Sequence, residues 1–212
     1  MFLTARTAQH LGVAKGLQQA DPVILVTAPT FFGLTVDGSL ELAQMAIAKI
    51  YDKTGGAVTM EKMLREASLS LGSFKRGSRQ EITDAIAKAR AVVNALEPVL
   101  KSIRTRRNEW LAHLDPRTVT NPQALAAKAK LSFPDLDRAF RETEKILLEI
   151  DSLYAGVIGE LSLVGGDDYK IALDWIRKAR CAFIENFEKE HGAGSWIGPR
   201  PKDCSREPWD LI

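Results

Sequence analysis

The sequence predicts an all-α fold: a helical bundle of four to five long helices with short accessory ones. Three observations carry this. Apolar residues recur in steps of three and four through several long stretches. Two capping boxes, Ser78-Arg79-Gln80-Glu81 and Ser132-Phe133-Pro134-Asp135, open two of those stretches. No stretch alternates apolar and polar residues with the period of two that a half-buried strand needs.

In chain order, residues 1–20 are weakly helical and Asp21-Pro22 ends them. Val23 to Val26 has the composition of a short strand but no partner strand, so it reads as a buried connector or a helix start. Val36, Leu40, Ala43, Ile47 and Ile50 mark an amphipathic helix from about Pro29 to Asp52, weakened by Gly33 and Gly38 and stopped by Gly55-Gly56. Thr59 is an N-cap for a short helix to about Ser70. A basic, Gly-rich turn follows (Gly72, Lys75, Arg76, Gly77). The helix opened by Ser78 runs through Ile82, Ala85, Ile86, Ala89, Val92, Val93 and Leu96. Pro98 then either starts a new helix or kinks one long helix, and the pattern stops near Pro116. Asn121-Pro122 opens a short Ala-rich helix to about Lys130. After Ser132, the positions Leu136, Phe140, Thr143, Leu147, Ile150, Tyr154, Val157, Leu161 and Val164 predict one long helix that ends at Gly165-Gly166. Tyr169, Leu173, Ile176, Arg180, Phe183 and Phe187 mark the last helix. The expected organisation is a single helical domain over residues 1–190 and an irregular Gly/Pro/Trp tail over 191–212, docked through Trp196 and Trp209.

Composition excludes several classes. The 212 residues carry a net charge of +2, too little to argue for nucleic-acid binding without local clustering. No apolar run approaches a membrane span, and residues 1–17 lack the h-region of a secretory signal. Cys181 and Cys204 have no zinc-ligand spacing and give no disulfide framework. Cys181 is therefore expected as a small buried apolar group, in a reducing, cytoplasmic setting.

One stretch departs from an ordinary bundle: Arg106-Arg107-Asn108-Glu109-Trp110-Leu111-Ala112-His113-Leu114-Asp115. On a helical wheel Leu96, Val99, Leu100, Ile103, Trp110, Leu111 and Leu114 share a face, and Arg107 falls in its middle. A guanidinium there must pair with a carboxylate, line a polar cleft or sit at a subunit interface. His113 lies at the edge of that face, about 120° round the axis from Arg107 and two turns on. For the two to act together, the helix must bend or a second chain must complete the site. Lys101, Arg104, Arg106 and Arg107 form a basic run that can attract phosphate. On spacing alone a structural ion pair is the commoner role for such an arginine, with Asp52 and Asp151 as candidate acids.

The wording of the stretch resembles the signature of the HEPN superfamily, in which an Arg, followed by a polar residue that is often Asn, precedes a His by four to six residues. Ala112-His113-Leu114-Asp115, the helix ending Ile47-Ala48-Lys49-Ile50-Tyr51-Asp52, the short helix after Thr59 and the Leu-Glu-Pro segment before the motif are similar to the abortive-infection U-like branch. The resemblance covers roughly Pro29 to Ile184. It implies a bundle that homodimerises and brings two motifs together, and a metal-independent endoribonuclease without cofactor, often a toxin in toxin–antitoxin or phage-defence systems. It implies His113 as general base or acid, Arg107 as phosphate ligand and Asn108 as orienting group, with Arg106 and Arg104 binding substrate RNA and an antitoxin protein as a further partner. Some relatives carry, two residues after the His, a Tyr that a partner enzyme modifies; here Asp115 stands there. The alternatives are a non-catalytic HEPN module that binds nucleotide, RNA or a partner protein, and a structural bundle in which Arg107 only pairs with an acid.

Overall fold

The computed structural model describes residues 2–52, 58–111, 123, 127–156 and 168–205. Their regular structure is helical, with no strand among the described residues, in agreement with the expected all-α class. Seven α-helices are described: α1 (Phe2–Gln19), α2 (Pro22–Leu25), α3 (Pro29–Ile50), α4 (Met60–Leu69), α5 (Arg79–Arg106), α6 (Phe133–Ala155) and α7 (Asp168–His191). Five of them are long, as the periodicity predicts. None is long and apolar enough to cross a membrane.

The helix boundaries follow local chemistry. Asp21 caps α2 by accepting from the Val23 N–H, and Pro22 occupies the first turn, where its missing donor costs nothing. Val23–Leu25 is thus the helix start, one of the two readings its composition left open. Thr59 caps α4. Both predicted capping boxes form, Ser78 with Glu81 and Ser132 with Asp135. Pro98 lies inside α5, which stays one continuous helix. Its ring is on the exposed side, where water can satisfy the carbonyl it leaves without a donor.

Two boundaries differ from expectation. The helix after Ser132 ends at Gly156, which adopts φ 74° and closes the last turn through its N–H to the Ser152 carbonyl. The apolar period continues past Gly156 to Val164, but a left-handed cap needs only one glycine at the right place. Residues 157–167, with the expected stop at Gly165-Gly166, lie outside the described residues, as do Gly55-Gly56 and most of the expected helix after Asn121. In α7, the residues most buried are Asp174, Arg177, Cys181 and Ile184, one position on from the apolar stripe Leu173, Ile176, Arg180, Phe183. An ion pair and a sulfur make up that buried line as far as Cys181, and Ile184 is its one apolar member among these four.

The chain divides into two compact units. The first comprises Met1–Ala8 and Glu41–Leu163. Within it α5 packs on α6 and on α4. Its core is built from Ile82, Ile86, Leu96, Leu100 and Ile103 of α5, Leu136, Phe140 and Ile150 of α6, Leu64 of α4 and Ile47 of α3. Each such side chain contributes about 1.5–3 kcal/mol through burial. The turn before α5 is tied to the end of α6 by N–H groups of Lys75 and Arg76 donating to the Tyr154 and Leu153 carbonyls.

The second unit comprises Gln9–Leu40 and Val164–Ile212. Leu11, Leu17, Ile24, Phe32 and Ile184 are buried in it. Gly16 is required by close approach, since a Cβ there would lie 2.1 Å from the Tyr169 hydroxyl oxygen. Residues 192–205 run back along α7. Trp196 packs edge-on against Phe183 and Phe187, with the Arg180 guanidinium over its ring. Arg200 pairs with Glu188, and the Lys202 N–H donates to Asp21. The docking expected of Trp196 is present; Trp209 lies outside the described residues.

The two cysteines overturn one expectation. Cys181 and Cys204 form a disulfide, with Cα atoms 5.8 Å apart. Cys181 is buried, but as half of a crosslink. The spacing of 23 residues has no motif, and the pairing arises only because the tail folds back on α7. The argument for a reducing compartment from unpaired thiols falls with it.

Candidate active site

The site is built where α5 changes character. Leu96, Leu100 and Ile103 are at most 2% exposed and lie on one line of the helix, at steps of four and three. The next position on that line is Arg107. Its side chain is half-buried, at 19% exposed. At the same residue the α-helix gives way to a π-turn spanning Arg107–Leu111. A π-turn widens the helix and re-aims the side chains that follow, and such turns recur at functional positions.

The wheel requires a partner for Arg107, and the chain supplies one internally. Arg107 Nη1 donates to Asp52 Oδ2 at 3.1 Å, and Arg107 Nε donates to Asn108 Oδ1 at 2.9 Å. Asp52 is one of the two acids the sequence nominates; its carboxylate is 22% exposed. It follows directly on Tyr51, whose buried hydroxyl lies 2.7 Å from Thr143 Oγ1 of α6. Thr143 gives its own proton to the Ala139 carbonyl, so Tyr51 is the donor of that bond. A guanidinium has five N–H donors, of which Asp52 and Asn108 take two, so three have no partner among the described residues.

The other basic residues are held differently. Arg104 Nη2 pairs with Glu97 two turns earlier on α5, while Arg104 Nη1 is buried and has no hydrogen-bond partner among the described residues. Arg106 Nε donates to the Ala129 carbonyl at 2.9 Å, and burial lowers its pKa below the ordinary arginine value. Glu109 pairs with Lys128. Lys101 is exposed. The basic run therefore does not act as one cationic strip: Arg104 and Arg107 are matched by acids, and Arg106 is bonded to backbone. His113 and Asp115 lie outside the described residues, so the structure brings together Arg107, Asn108 and Asp52 and leaves His113 unplaced. Asp52 is the site residue the sequence offered only as a structural partner; its signal was the polar end of α3 placed next to Tyr51.

Residues 25–174, well over half of the chain, match the family model HEPN_AbiU2, described as AbiU2. The chain belongs to the AbiU2 family of HEPN domains. The matched span of this HEPN domain starts in α2, contains α3–α6 and the whole motif stretch, and stops early in α7. Most of α7, with both cysteines and the tail, lies beyond the matched span. No curated protein and no solved structure matches the chain.

Proposed function

We propose that this HEPN domain is a metal-independent endoribonuclease that cleaves RNA by transesterification, acting as a homodimer with two motifs facing one another. The observation that carries the reading is the Arg107-Asn108 arrangement, a half-buried guanidinium held by two acceptors, with three N–H donors that have no partner among the described residues. Such a group suits the scissile phosphate, binding it and stabilising the charge that develops on its non-bridging oxygens. Asn108 is exposed and adjacent, and orients the guanidinium or the phosphate. His113 supplies the proton chemistry, removing the proton of the ribose 2′-OH or giving one to the departing 5′-oxygen. The 2′-oxygen forms its bond to phosphorus as the bond to the 5′-oxygen breaks, leaving a 2′,3′-cyclic phosphate and a 5′-hydroxyl. Arg104 and Arg106 serve as secondary RNA contacts. A toxin role, with an antitoxin protein as partner, and action on cytoplasmic RNA complete the proposal.

The test is incubation of purified protein with total RNA in EDTA beside His113→Ala and Arg107→Ala variants. Cleavage by the wild type and loss of about 10²-fold or more in each variant are expected. Cleavage that persists in both variants refutes the mechanism, and an inert wild type favours a non-catalytic module that binds nucleotide, RNA or a protein. The Arg107–Asp52 ion pair favours one further reading, in which Arg107 is structural. Stability of the Arg107→Ala variant separates that reading from the catalytic one.

A further inference from the structure

Arg107 ends the buried line of α5, and what holds its head comes from another helix. The chain leaving α3 is fixed at Tyr51, which is 6% exposed and donates its hydroxyl proton to Thr143 of α6. Its backbone still belongs to the helical turn, with the Tyr51 N–H bonded to the Ile47 carbonyl and the Asp52 N–H to the Lys49 carbonyl. Asp52 thus follows directly on a residue fixed through both its backbone and its side chain. It meets Arg107 Nη1 while Asn108 takes Nε. Two acceptors on different edges of a planar guanidinium fix both its position and its plane. The donors without a partner among the described residues, both on Nη2 and one on Nη1, then face a set direction.

We infer that Asp52 is a positioning residue for Arg107, and that the Tyr51–Thr143 bond anchors it. Its catalytic meaning rests on the ribonuclease reading above. Asp52 touches neither phosphate nor ribose in this role; it acts through Arg107. Its charge has a second consequence. A carboxylate beside the phosphate-binding guanidinium repels the RNA backbone, so its removal lowers turnover without weakening RNA binding. That separates it from Arg107 itself, whose loss weakens both.

The experiment uses the full-length protein and the variants Asp52→Asn, Asp52→Ala and Asp52→Glu, with two readouts. The first is steady-state cleavage of a short RNA. Asp52→Asn and Asp52→Ala are expected to lose about 10- to 100-fold in kcat with KM unchanged or lower, and Asp52→Glu to recover part of the loss. The second needs no activity: the side-chain Nη–H signals of Arg107 in 15N-labelled protein, assigned with Arg107→Lys, since Asp52 accepts from Nη1. They are expected to show slowed exchange and rotation in the wild type and to lose both in Asp52→Ala. Unchanged Nη–H signals in Asp52→Ala overturn the positioning role, whatever the activity. A changed signal with wild-type kcat overturns its bearing on the reaction. A raised KM with unchanged kcat assigns Asp52 to substrate binding and also overturns it. If the wild type cleaves nothing, the ribonuclease reading falls on that result alone, and the Nη–H readout still decides whether Asp52 holds Arg107. If Asp52→Asn and Asp52→Ala both fail to fold, the pair is structural and the inference is wrong.

Discussion

Reduction of the Cys181–Cys204 bond is expected to destabilise the unit that contains α7 and to leave the other unit unchanged. The magnitude follows from the loop the bond closes. For a sequence separation of 23 residues, the chain-entropy relation gives about 11.4 cal/mol/K, or about 3.4 kcal/mol at 25 °C. The tail keeps other attachments when the bond opens. Trp196 still packs on Phe183 and Phe187, Arg200 still meets Glu188, and the Arg177 guanidinium still donates to the Asp203 carbonyl. The native fold should therefore survive reduction, and the loss should appear as a lower unfolding midpoint. With a urea dependence of about 2 kcal/mol/M, 3.4 kcal/mol corresponds to a fall of about 1.7 M. The assay is urea unfolding of oxidised protein, of protein in a phosphine reductant, and of Cys204→Ser. Cys204 is the position to change, because it is exposed and Cys181 is buried. Reduced wild type and Cys204→Ser should unfold together, well below the oxidised protein, in one transition of the two. Equal midpoints for oxidised and reduced protein would refute the reasoning, as would two thiols that react freely in air-oxidised native protein. A shift in both transitions would refute the confinement of the effect to one unit.

Other perturbations test the first unit. Arg107→Ala leaves Asp52 without this partner at partial exposure, and should cost roughly 1–2 kcal/mol in urea unfolding, less than the 3–5 of a fully buried pair; a loss above about 4 kcal/mol would support the structural reading of Arg107. Ser132→Ala removes the cap of α6 and should cost about 1 kcal/mol by the same assay. Leu100→Ala empties a site that is 2% exposed and should cost about 2–5 kcal/mol, read as a lower midpoint with unchanged slope. Burial raises the Tyr51 hydroxyl above its ordinary value of 10.0, and the Glu142 carboxylate pushes the same way. A raised folded value means that this stabilisation is complete below about pH 10 and is lost as the pH climbs through the folded value. Tyr51→Phe, which cannot ionise, should lose about 1 kcal/mol at pH 7 and show a smaller alkaline decline; equal alkaline declines would show that Tyr51 does not titrate with unfolding.

The fold was legible because its signals are local. Ser78, Ser132 and Thr59 form the caps their sequence context predicts, and Leu96, Leu100 and Ile103 are buried where the helical period places them. The errors are where local signals compete or are silent. At Gly156 an unbroken apolar period ran through a residue whose left-handed conformation ended the helix. In α7 three of the four buried positions, Asp174, Arg177 and Cys181, are polar or crosslinked residues that a periodicity of apolar side chains cannot reveal. The disulfide depends on the tail folding back over 23 positions, a tertiary event with no local mark.

Arg107 shows how far a helical wheel reaches. The wheel placed a guanidinium on an apolar line and required a carboxylate, a polar cleft or a second chain. Periodicity alone cannot choose, because the partner is 55 residues away on the end of another helix. The structure supplies the carboxylate from within the chain, so the burial of Arg107 no longer argues for a dimer. A paired active site then rests on membership of the HEPN family and on the reach of His113, not on an unmet charge. The same pair sharpens the chemistry. On the proposed ribonuclease reading, an arginine held by Asp52 on Nη1 and by Asn108 on Nε is already oriented before RNA arrives, and phosphate would meet a preorganised donor set. If the ion pair were only a structural device, any acid that neutralised Arg107 would serve. If it is a catalytic support, the angle of the guanidinium matters as well as its charge, and Asp52→Glu, which keeps the charge and lengthens the arm, should cleave RNA more slowly than the wild type while remaining as stable.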